Sequence, residues 1–541
     1  MCQSPIALIG IEHEENLSLR YLAASLERVG FPADLLALNE PGDEARAIAH
    51  VVEHAPRLVG VSVPFQHRAE LLLKFTGKLR SAGFAGHLVC GGHFATFEYA
   101  RILEAFPGVD SVARHEGEET IVELARALHE GEPIDTIPGL VTRAVCGLQA
   151  GPPRRLPALD GLPFPDRRGE PQAVFGFPIA PILGSRGCYA DCSFCCIQSY
   201  FAAAEGPRFR QRSVESIVAE MKMERLHRGI RIFVFHDDTF LLPGRTASLD
   251  RYGRMWELMR REGLTDIGLV IKCRPDDVDR EVFGLLQDMG LVRAYVGIET
   301  NSGEGLVSLN RRVGADDNLR AMQVLNELGV FSTYNLLLFD PEATFRGIGA
   351  NLAFAEAHTE VPFNFCRAEA YPGTPMKARL EAEGRLWGDF LGWDYEMRDP
   401  RIGLLVRLAD TVFQGRNFRS DGIATLNMGL RFDAEVLRRF LPRGWDEELN
   451  ARMKDFSRRF ALDSIEKLRK AAAFCEAVDL SDVAYIRAFT AGLARSTARA
   501  DLDFLGEARQ LQRECSRRTG LDDYQVISST GQPTFKYEVH P

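Results

Sequence analysis

The feature that most constrains the fold is a repeated alternation of short apolar runs with amphipathic segments. In the first 150 residues, stretches of helical periodicity separate PIALIGI (5–11), RLVGVSVP (57–64), HLVCGG (87–92) and VDSVARHEG (109–117). Nearly continuous apolar strands of this kind indicate a parallel sheet that is covered on both faces. We therefore predict an α/β domain over residues 1–150. Its ligand site is expected at the loops beyond the strand carboxyl ends.

A second alternation begins near residue 180 and contains six strand candidates. They are APILGSR (180–186), RIFVFHD (231–237), IGLVIKC (267–273), VRAYVGI (292–298), STYNLLLF (332–339) and FNFCRAEAY (363–371). Helical patterns such as residues 213–228 and 318–329 separate them. Six strand–helix units favour a partial (β/α)6 barrel over residues 180–385, rather than a full eight-fold one. Catalytic groups are expected at the carboxyl ends of its strands.

The rest of the chain is predicted to connect and extend these two domains. Residues 151–181 contain eight of the 27 prolines. Because proline breaks helices and central strands, residues 151–179 are predicted to form an extended linker. The alternation stops beyond residue 385, and residues 443–532 contain no proline. Residues 386–541 are therefore predicted to form a helical C-terminal domain, in which Asp463 and Glu466 indicate a capped helix start.

Composition and charge argue against several broad classes of protein. With 65 Lys+Arg against 75 Asp+Glu, the formal charge is −10, whereas a general nucleic-acid binder would show a basic footprint. No apolar run approaches the roughly 18 residues that span a bilayer, and the amino terminus does not resemble a signal peptide. The expected location is the cytoplasm, without nucleic-acid or membrane partners. The eleven cysteines are an odd and mostly scattered set, which argues against a disulfide framework.

Four of the eleven cysteines nevertheless lie within nine residues, and three of them, Cys188, Cys192 and Cys195, have the spacing C-x3-C-x2-C. Three thiolates on one loop can hold three irons of a cubane iron–sulfur cluster and leave the fourth iron open. The alternative is a structural zinc site, which normally requires four protein ligands. Cys196 could be the fourth ligand, but its place beside Cys195 suits one tetrahedron poorly. A small hydrophobic role suits Cys196 better.

The cysteine loop resembles that of the radical SAM enzymes, which use S-adenosylmethionine (SAM). Their loop is C-x3-C-x-aromatic-C, and Phe194 is the aromatic residue. Other matching segments are FHDDTF (235–240), IKCRPD (271–276), VGIET (296–300) and AYPGTP (370–375). The resemblance implies a [4Fe–4S] cluster on Cys188, Cys192 and Cys195. It implies SAM binding by Phe194, Asp238, Arg274, Gly297 and Glu299. For Asp237 and Asp238, a solvated turn or helix cap is an equal alternative.

The N-terminal domain resembles the Rossmann-like cobalamin-binding domain of one subfamily of these enzymes. The matching segments are VGVSVPFQ (59–66), CGGHFATF (90–97) and ARHEGEET (113–120). Glycine in these loops would let the backbone approach a large ligand closely. The resemblance implies corrin contacts from Ser62, Phe65, Gln66, Gly91, Gly92, His93, Glu116 and Gly117. For His93 and His115, hydrogen bonding to the loop backbone is an equal alternative.

One motif of cobalamin domains, D-x-H-x-x-G, is absent, since none of the twelve histidines is followed by glycine three residues later. That motif supplies a histidine to the cobalt, so the resemblance leaves the lower ligand of the cobalt open. A vestigial or purely structural domain is the alternative to a bound cobalamin.

The combined resemblance implies a cobalamin-dependent radical SAM methyltransferase that acts on an unactivated carbon, or less often phosphorus, of a small metabolite or peptide. In the family's mechanism, one SAM methylates cob(I)alamin, and a second is cleaved to a 5′-deoxyadenosyl radical that abstracts a substrate hydrogen. The substrate radical then takes the methyl group from methylcobalamin. An electron donor of the flavodoxin or ferredoxin type is implied. Two alternatives stay open: a rearrangement or cyclisation without net methylation, and a corrinoid or iron–sulfur sensor without turnover.

Overall fold

The structure is a computed structural model that describes residues 5–145, 147–417, 419 and 421–520. Its first domain contains a seven-stranded sheet. The strands are Ile6–Gly10 (β1), Ala33–Ala37 (β2), Leu58–Ser62 (β3), His87–Gly91 (β4), Ser111–Ala113 (β5), Leu140–Ala144 (β6) and Gly147–Ala150 (β7). The helices are Leu17–Arg28 (α1), Glu44–His54 (α2), Gln66–Ser81 (α3), His93–Ala105 (α4) and Glu118–Glu130 (α5).

The first sheet has the order β2-β1-β3-β4-β5-β6-β7. Strands β1 to β5 pair in parallel, and β6 and β7 continue the sheet antiparallel. Two apolar clusters pack helices onto its two faces, which confirms the predicted Rossmann-like domain. The order reverses between β1 and β3. Open α/β sheets bind ligands at such a switch point, outside the strand carboxyl ends.

Strand β2 is not apparent in the sequence because it lies at an edge of the sheet. Its sequence, ADLLA, is interrupted by Asp34, and only Ala33 is fully buried. An edge strand that is only partly buried on each face lacks the continuous apolar run by which its neighbours are recognised.

The second domain contains all six predicted strands. The strands of this region are Ala173–Val174 (β8), Phe177–Ile182 (β9), Ser185–Gly187 (β10), Phe209–Gln211 (β11), Ile232–Phe235 (β12), Gly268–Cys273 (β13), Leu291–Glu299 (β14), Ser332–Phe339 (β15) and Phe363–Arg367 (β16). The helices are Cys196–Ala202 (α6), Val214–His227 (α7), Arg245–Arg261 (α8), Arg280–Met289 (α9), Gly303–Ser308 (α10), Ala315–Glu327 (α11), Phe345–Ala357 (α12) and Pro375–Ala382 (α13).

Strands β9, β12, β13, β14, β15 and β16 pair in parallel in this order. Strand β8 pairs antiparallel with β9, so β8 and β16 are the two edges of the sheet. This open (β/α)6 barrel is the predicted one. Strands β10 and β11 form a separate antiparallel pair, and the chain between them carries the cysteine loop.

The C-terminal region begins with a short hairpin, Leu386–Trp387 (β17) and Asp394–Tyr395 (β18). The helices that follow are Pro400–Asn417 (α14), Ile423–Phe440 (α15), Glu447–Ala477 (α16) and Val483–Thr519 (α17). The predicted helical character is therefore confirmed, and residues 521–541 lie outside the described residues. Among the described helices, none combines the length and hydropathy that crossing a membrane requires.

Helix α15 closes one end of the barrel. Its Phe432 and Leu437 share an apolar cluster with Ile232, Val270 and Val292, which lie near the starts of β12, β13 and β14. The opposite face of these strands packs against the surrounding helices in a second cluster. Helix α15 therefore fills the inner face of the sheet at its amino-terminal end.

The helix start predicted at Asp463 is wrong. Residue 463 lies in the middle of α16, and the N-cap is Asp446, whose side chain accepts a hydrogen bond from the Leu449 amide at 2.8 Å. The Asp463 carboxylate instead pairs with the buried Arg416 at 2.5 Å. The spacing of Asp463 and Glu466 is that of a capping box, but it is also the ordinary spacing of neighbours on one helix face.

The proline-rich segment is attached to both domains by ion pairs, of which those of Arg167 are buried. Arg154 pairs with Glu119 of α5 at 2.9 Å. Arg167 pairs with Glu15 of the first domain at 2.5 Å and with Glu220 of α7 at 2.7 Å. Arg167 therefore connects the two domains directly, in addition to the covalent link.

Candidate functional site

A large cavity opens at the switch point of the first sheet, between the loops after β1, β3, β4 and β5 and the start of the barrel. It holds about 1930 Å³ of space free of protein atoms, including its open mouth. Its walls extend from Leu8 and Ile121 inside the first domain to His236 and Asp238 of the barrel. A cavity of this size at the switch point can accommodate a large ligand such as cobalamin, which combines a corrin ring with a nucleotide tail.

All the residues implied for corrin binding except Gln66 lie at this cavity. The ones that line it are Ser62, Phe65, Gly91, Gly92, His93, Glu116 and Gly117. Gln66 begins helix α3, and its Nε2 donates a hydrogen bond to the carbonyl oxygen of Trp393 at 3.3 Å. The Gln66 side chain therefore contacts the C-terminal region instead of lining the cavity.

Gly92 is required by the packing of its own loop. Its φ of 108° and ψ of 178° lie in a region that is essentially restricted to glycine. A β-carbon there would lie 2.8 Å from the carbonyl oxygen of Val63. Glycine at position 92 thus lets the loop after β4 pass directly over the end of β3, which shapes this part of the cavity wall.

The carboxylate of Glu116 forms buried ion pairs with two arginines of the barrel domain. Arg186 lies 3.2 Å from Glu116 and 2.7 Å from Glu118, and Arg210 donates to Glu116 at 3.0 Å. Burial alone would raise the pKa of Glu116, but the two guanidinium groups outweigh it and hold that pKa below its usual value. The rim of the cavity is therefore bonded to strand β10, immediately before Cys188.

His93 and His115 both contact Tyr200 of helix α6. Their ring centroids lie 4.2 Å and 5.3 Å from that of Tyr200. The backbone of His115 has a φ of 62° and donates to the Thr96 hydroxyl at 2.8 Å. Burial is the main reason that the pKa of His115 is lowered to about 4, so its imidazole is neutral at pH 7. Both histidines line the cavity as well.

The cysteine loop begins at a tight antiparallel contact and is held by two aspartates. Gly187 has a φ of 86°, and a β-carbon there would lie 1.8 Å from the carbonyl oxygen of Arg208. Asp237 accepts hydrogen bonds from the Gly184 amide and the Ser185 hydroxyl, both at 2.7 Å. Asp238 accepts from the Gly187 amide at 3.0 Å. Asp237 is buried, so the alternative of a solvated turn is wrong for this residue.

Cys192 is buried and Cys188 and Cys195 are partly buried, and two arginines lie beside the Cys192 sulfur. Arg311 donates to the Cys192 sulfur at 2.9 Å, and Arg274 lies 3.9 Å from the same sulfur. Burial raises the pKa of Cys188 to about 11, and burial with the neighbouring thiols raises that of Cys195 above its usual range. Buried thiolates require compensating positive charge, which the irons of a cluster would supply.

The donor set suits a cluster better than one zinc ion. Within the part of the chain that the structure describes, no three His, Cys, Asp or Glu side chains are placed to hold a single metal ion. A closed zinc site needs four ligands around one atom. A cubane cluster instead takes each cysteine on a separate iron, and the three thiols of one loop fit that chemistry.

The residues implied for SAM binding lie around the carboxyl ends of β12, β13 and β14. Arg274 pairs with Asp276 at 3.0 Å and donates to the Arg311 carbonyl at 3.1 Å. Glu299 is buried with a φ of 61°. Burial raises the pKa of Glu299, and the nearby Arg311 opposes this shift. Phe194 packs against the main apolar cluster of the barrel.

Arg311 is the site residue that the sequence does not reveal. It follows helix α10 in the segment SLNRR (308–312) and donates both to Cys192 and to the carbonyl oxygen of Gly297. Its guanidinium is buried, and its Nε has no hydrogen-bond partner among the described residues. A pair of adjacent arginines after the fourth-strand segment is the sole sequence signal, and it resembles an ordinary solvated loop.

Comparisons with known proteins match both domains. Residues 12–125 match the family model described as B12 binding domain, and residues 182–344 match that of the Radical SAM superfamily. One curated relative is an uncharacterised methyltransferase of Pyrococcus horikoshii, which is 29% identical over 53% of this chain and 62% of its own. Another is the hopanoid C-3 methylase of Methylococcus capsulatus, which is 27% identical over 61% of both chains. The chain thus spans less than two thirds of these relatives. An anaerobic magnesium-protoporphyrin IX monomethyl ester cyclase of Cereibacter sphaeroides is 26% identical over 45% of this chain and 40% of its own.

Two solved structures share the fold. The cobalamin-dependent S-adenosylmethionine radical enzyme OxsB, with aqua-cobalamin bound, has a TM-score of 0.68 at 15% identity and covers 96% of this chain and 80% of its own. The radical SAM methyltransferase TsrM of Kitasatospora setae, with tryptophan and a SAM analogue bound, has a TM-score of 0.60 at 22% identity, over 70% of this chain and 76% of its own. At 15% and 22% identity, the likeness to these two structures shows a shared fold and nothing further.

Proposed function

Because the chain belongs to the cobalamin-binding radical SAM enzymes, we propose that it is a methyltransferase acting on an unactivated carbon, or less often phosphorus, of a small metabolite or peptide. The observation that carries the proposal is that the cavity of the first domain and the cysteine loop share one wall. Arg186 and Tyr200 line the cavity, and they lie on either side of Cys188 and Cys195 in the sequence. This arrangement supports a methyl-carrying corrin in the cavity, beside the site proposed for SAM.

The proposal assigns each cofactor to a set of residues. Cys188, Cys192 and Cys195 would hold the [4Fe–4S] cluster. SAM would lie against Phe194, Asp238, Arg274, Gly297 and Glu299. Cobalamin would occupy the cavity lined by Ser62, Phe65, Gly91, Gly92, His93, Glu116 and Gly117. When bound, these groups supply the low-potential electron, the radical chemistry and the methyl group.

The side chains of the chain itself position these groups and exclude water. Asp237 and Asp238 fix the segment that leads into Cys188. Asp237 accepts from the Gly184 amide and the Ser185 hydroxyl, and Asp238 accepts from the Gly187 amide. Arg274 and Arg311 place two cations beside Cys192, where an anionic carboxylate of SAM would be attracted. Helix α15 fills the amino-terminal end of the barrel, so the proposal has the substrate enter from the cofactor end.

Further parts of the proposal concern the surroundings of the enzyme. We assign residues 1–150 to the cobalamin domain, 151–179 to the linker, 180–385 to the barrel and 386–541 to the helical domain, which would help to select the substrate. The electron donor would be of the flavodoxin or ferredoxin type. The location would be the cytoplasm.

The test begins with protein that is purified anaerobically from cells supplied with cobalamin. About four irons and one cobalt per chain are expected, as a [4Fe–4S] cluster and one corrin require. Candidate substrates are then incubated with a reductant and with SAM carrying a trideuterated methyl group. A substrate that gains this label, together with S-adenosylhomocysteine and 5′-deoxyadenosine, supports the proposal. The Cys192→Ala variant is the control and should form neither 5′-deoxyadenosine nor product.

A rearrangement or cyclisation is the second candidate, and the likeness to the cyclase favours it. The same assay separates the two candidates. A cyclisation or rearrangement consumes SAM and forms 5′-deoxyadenosine, but the product carries no deuterium from the methyl group. Formation of 5′-deoxyadenosine without label in any product would therefore overturn the methyltransferase proposal.

A further inference from the structure

The wall between the corrin cavity and the cysteine loop is built by side chains from both domains. Strand β10 ends at Gly187, directly before Cys188, and helix α6 starts at Cys196, directly after Cys195. Each of these elements contributes side chains to the cavity wall, among them Arg186 from β10 and Tyr200 from α6. Both side chains line the cavity. The two ends of the cysteine loop are therefore anchored on the cobalamin side.

Arg186 is bound to the first domain on three sides. Its guanidinium lies 3.2 Å from Glu116 and 2.7 Å from Glu118. It also lies 4.8 Å from the ring centroid of Tyr21. All three partners line the cavity. Separating the Arg186 guanidinium from Glu116 and Glu118 would leave charges unpaired in the protein interior, which is energetically unfavourable. A displacement of the rim that carries Glu116 and Glu118 should therefore displace β10 as well.

Tyr200 is held in the same way by the loops after β4 and β5. The centroid of its ring lies 4.2 Å from that of His93 and 5.3 Å from that of His115. Only 4% of Tyr200 is exposed. Phe201 and Leu156 join it in a small apolar cluster that is separate from the main cores of the two domains. The start of α6 is thus packed on the loops that the corrin would contact.

We infer that Arg186 and Tyr200 are positioning residues that couple the occupancy of the cobalamin cavity to the loading of the cysteine loop. A bound corrin orders Glu116, His93 and their loops, and the two side chains pass this order to both ends of the segment that holds Cys188, Cys192 and Cys195. By linkage, a loaded loop must then raise the affinity of the cavity by the same factor. The inference rests on the cofactor assignments of the proposed function, and it does not depend on methyl transfer.

The experiment measures the dissociation constant of hydroxocobalamin by anaerobic equilibrium dialysis. The same full-length protein is used with its cluster reconstituted and after removal of iron by a chelator. We expect at least about fivefold tighter binding to the cluster-loaded form, the lower end of typical coupling factors. In Arg186→Gln and in Tyr200→Leu, this ratio should fall towards one. Tyr200→Phe keeps the ring contacts, so it should keep the ratio.

The matched control is Arg228→Gln. Arg228 also forms an ion pair across the two domains, with Glu15, and a second one with Glu224 at 2.8 Å. It is remote in sequence from both ends of the cysteine loop and does not line the cavity. Its variant should therefore retain the ratio of the wild type, even if the overall affinity changes.

Four outcomes would overturn the inference. Equal affinity of the two wild-type forms shows that the sites are uncoupled. If the affinity ratio of the two forms persists in Arg186→Gln and Tyr200→Leu, other residues carry the coupling. If the affinity ratio is also lost in Arg228→Gln, the substitutions loosen the interface in general. Absence of binding to both forms would overturn the inference together with the cobalamin assignment. Loss of methylation with an intact ratio would instead contradict only the proposed reaction.

Discussion

Arg311 donates a hydrogen bond from its Nη1 to the sulfur of Cys192 at 2.9 Å. The two residues are 119 positions apart in the sequence, and the guanidinium is fully enclosed by the barrel. Under the proposed assignment Cys192 is a cluster ligand, and a charged donor on its sulfur then has a defined physical consequence. Hydrogen bonds to the cysteine sulfurs are among the factors that set the reduction potential of an iron–sulfur cluster.

Replacement of Arg311 should therefore lower the reduction potential of the cluster. The positive charge of Arg311 stabilises the reduced cluster, which is the more negative form. Arg311→Gln removes this charge and so disfavours reduction. A hydrogen bond to a charged group contributes about 1.5 kcal/mol or more, which corresponds to a fall on the order of 60 mV for a one-electron couple. The measurement is a potentiometric titration followed by electron paramagnetic resonance. Arg311→Lys keeps the charge and should shift the potential less, whereas an unchanged potential in Arg311→Gln would contradict this role.

The fourth cysteine of the cluster segment should be dispensable for iron binding. Cys196 is the first residue of α6, whereas Cys188, Cys192 and Cys195 precede the helix. In Cys196→Ser we expect about four irons per chain, as in the wild type, because three thiolates suffice for this cluster. Cys192→Ser is the matched variant and should lose most of its iron. Equal loss of iron in both variants would show that Cys196 is a ligand.

Gly92→Ala should destabilise the first domain and weaken cobalamin binding. The backbone conformation costs a non-glycine residue about 1–3 kcal/mol, and the new methyl group would meet the Val63 carbonyl oxygen at 2.8 Å. Urea unfolding and dialysis against hydroxocobalamin measure the two effects. Gly77→Ala is the control. Gly77 lies inside helix α3 with no atom within 4 Å of an added β-carbon, so that substitution should stabilise the domain by up to about 1 kcal/mol.

His115 should make the stability of the cofactor-free protein depend on pH. Its pKa is lowered from 6.5 to about 4 in the folded state, chiefly by burial. Below pH 6.5 the unfolded chain binds a proton at this residue and the folded chain does not, so stability falls as pH decreases towards 4. After allowance for solvent screening, the loss at pH 5 relative to pH 7 is about 1–2 kcal/mol.

The pH effect of His115 is isolated by comparison with His115→Gln. Urea unfolding of both proteins at pH 7 and pH 5 gives the difference between their losses of stability. Other titrating groups contribute equally to the two proteins and cancel. If the variant loses as much stability as the wild type on acidification, the imidazole is not the group responsible.

The fold was predictable because its strands are local and periodic. All six barrel strands and the four central strands of the first domain are short and mostly apolar, and the cysteine spacing lies within eight residues of one loop. Strand β2 escaped detection because Asp34 interrupts an edge strand. The helix start predicted at Asp463 was wrong because the spacing of Asp463 and Glu466 occurs both at helix starts and along helix faces.

The missed site residues share a different cause. Arg311, Arg186 and Tyr200 act through partners far away in the chain, and nothing in their local sequence marks them. In the sequence, nothing distinguishes Arg186 from the other arginines, and Tyr200 resembles an aromatic residue of the core. Their roles follow from the docking of the first domain on β10 and α6, which is a property of the tertiary structure. Gln66 shows the converse, since its motif match is good while its side chain faces Trp393.

The shared wall also limits how such a chain could have been assembled by recombination. A cobalamin domain exchanged for one from another lineage would bring its own rim, whereas Arg186 and Tyr200 are encoded in the segment for the barrel. Only an exchange that preserved Glu116, Glu118 and the two histidine loops would leave the cysteine segment correctly anchored. The two domains are therefore expected to be inherited as a single unit, and chimaeras joined within the linker should assemble clusters poorly.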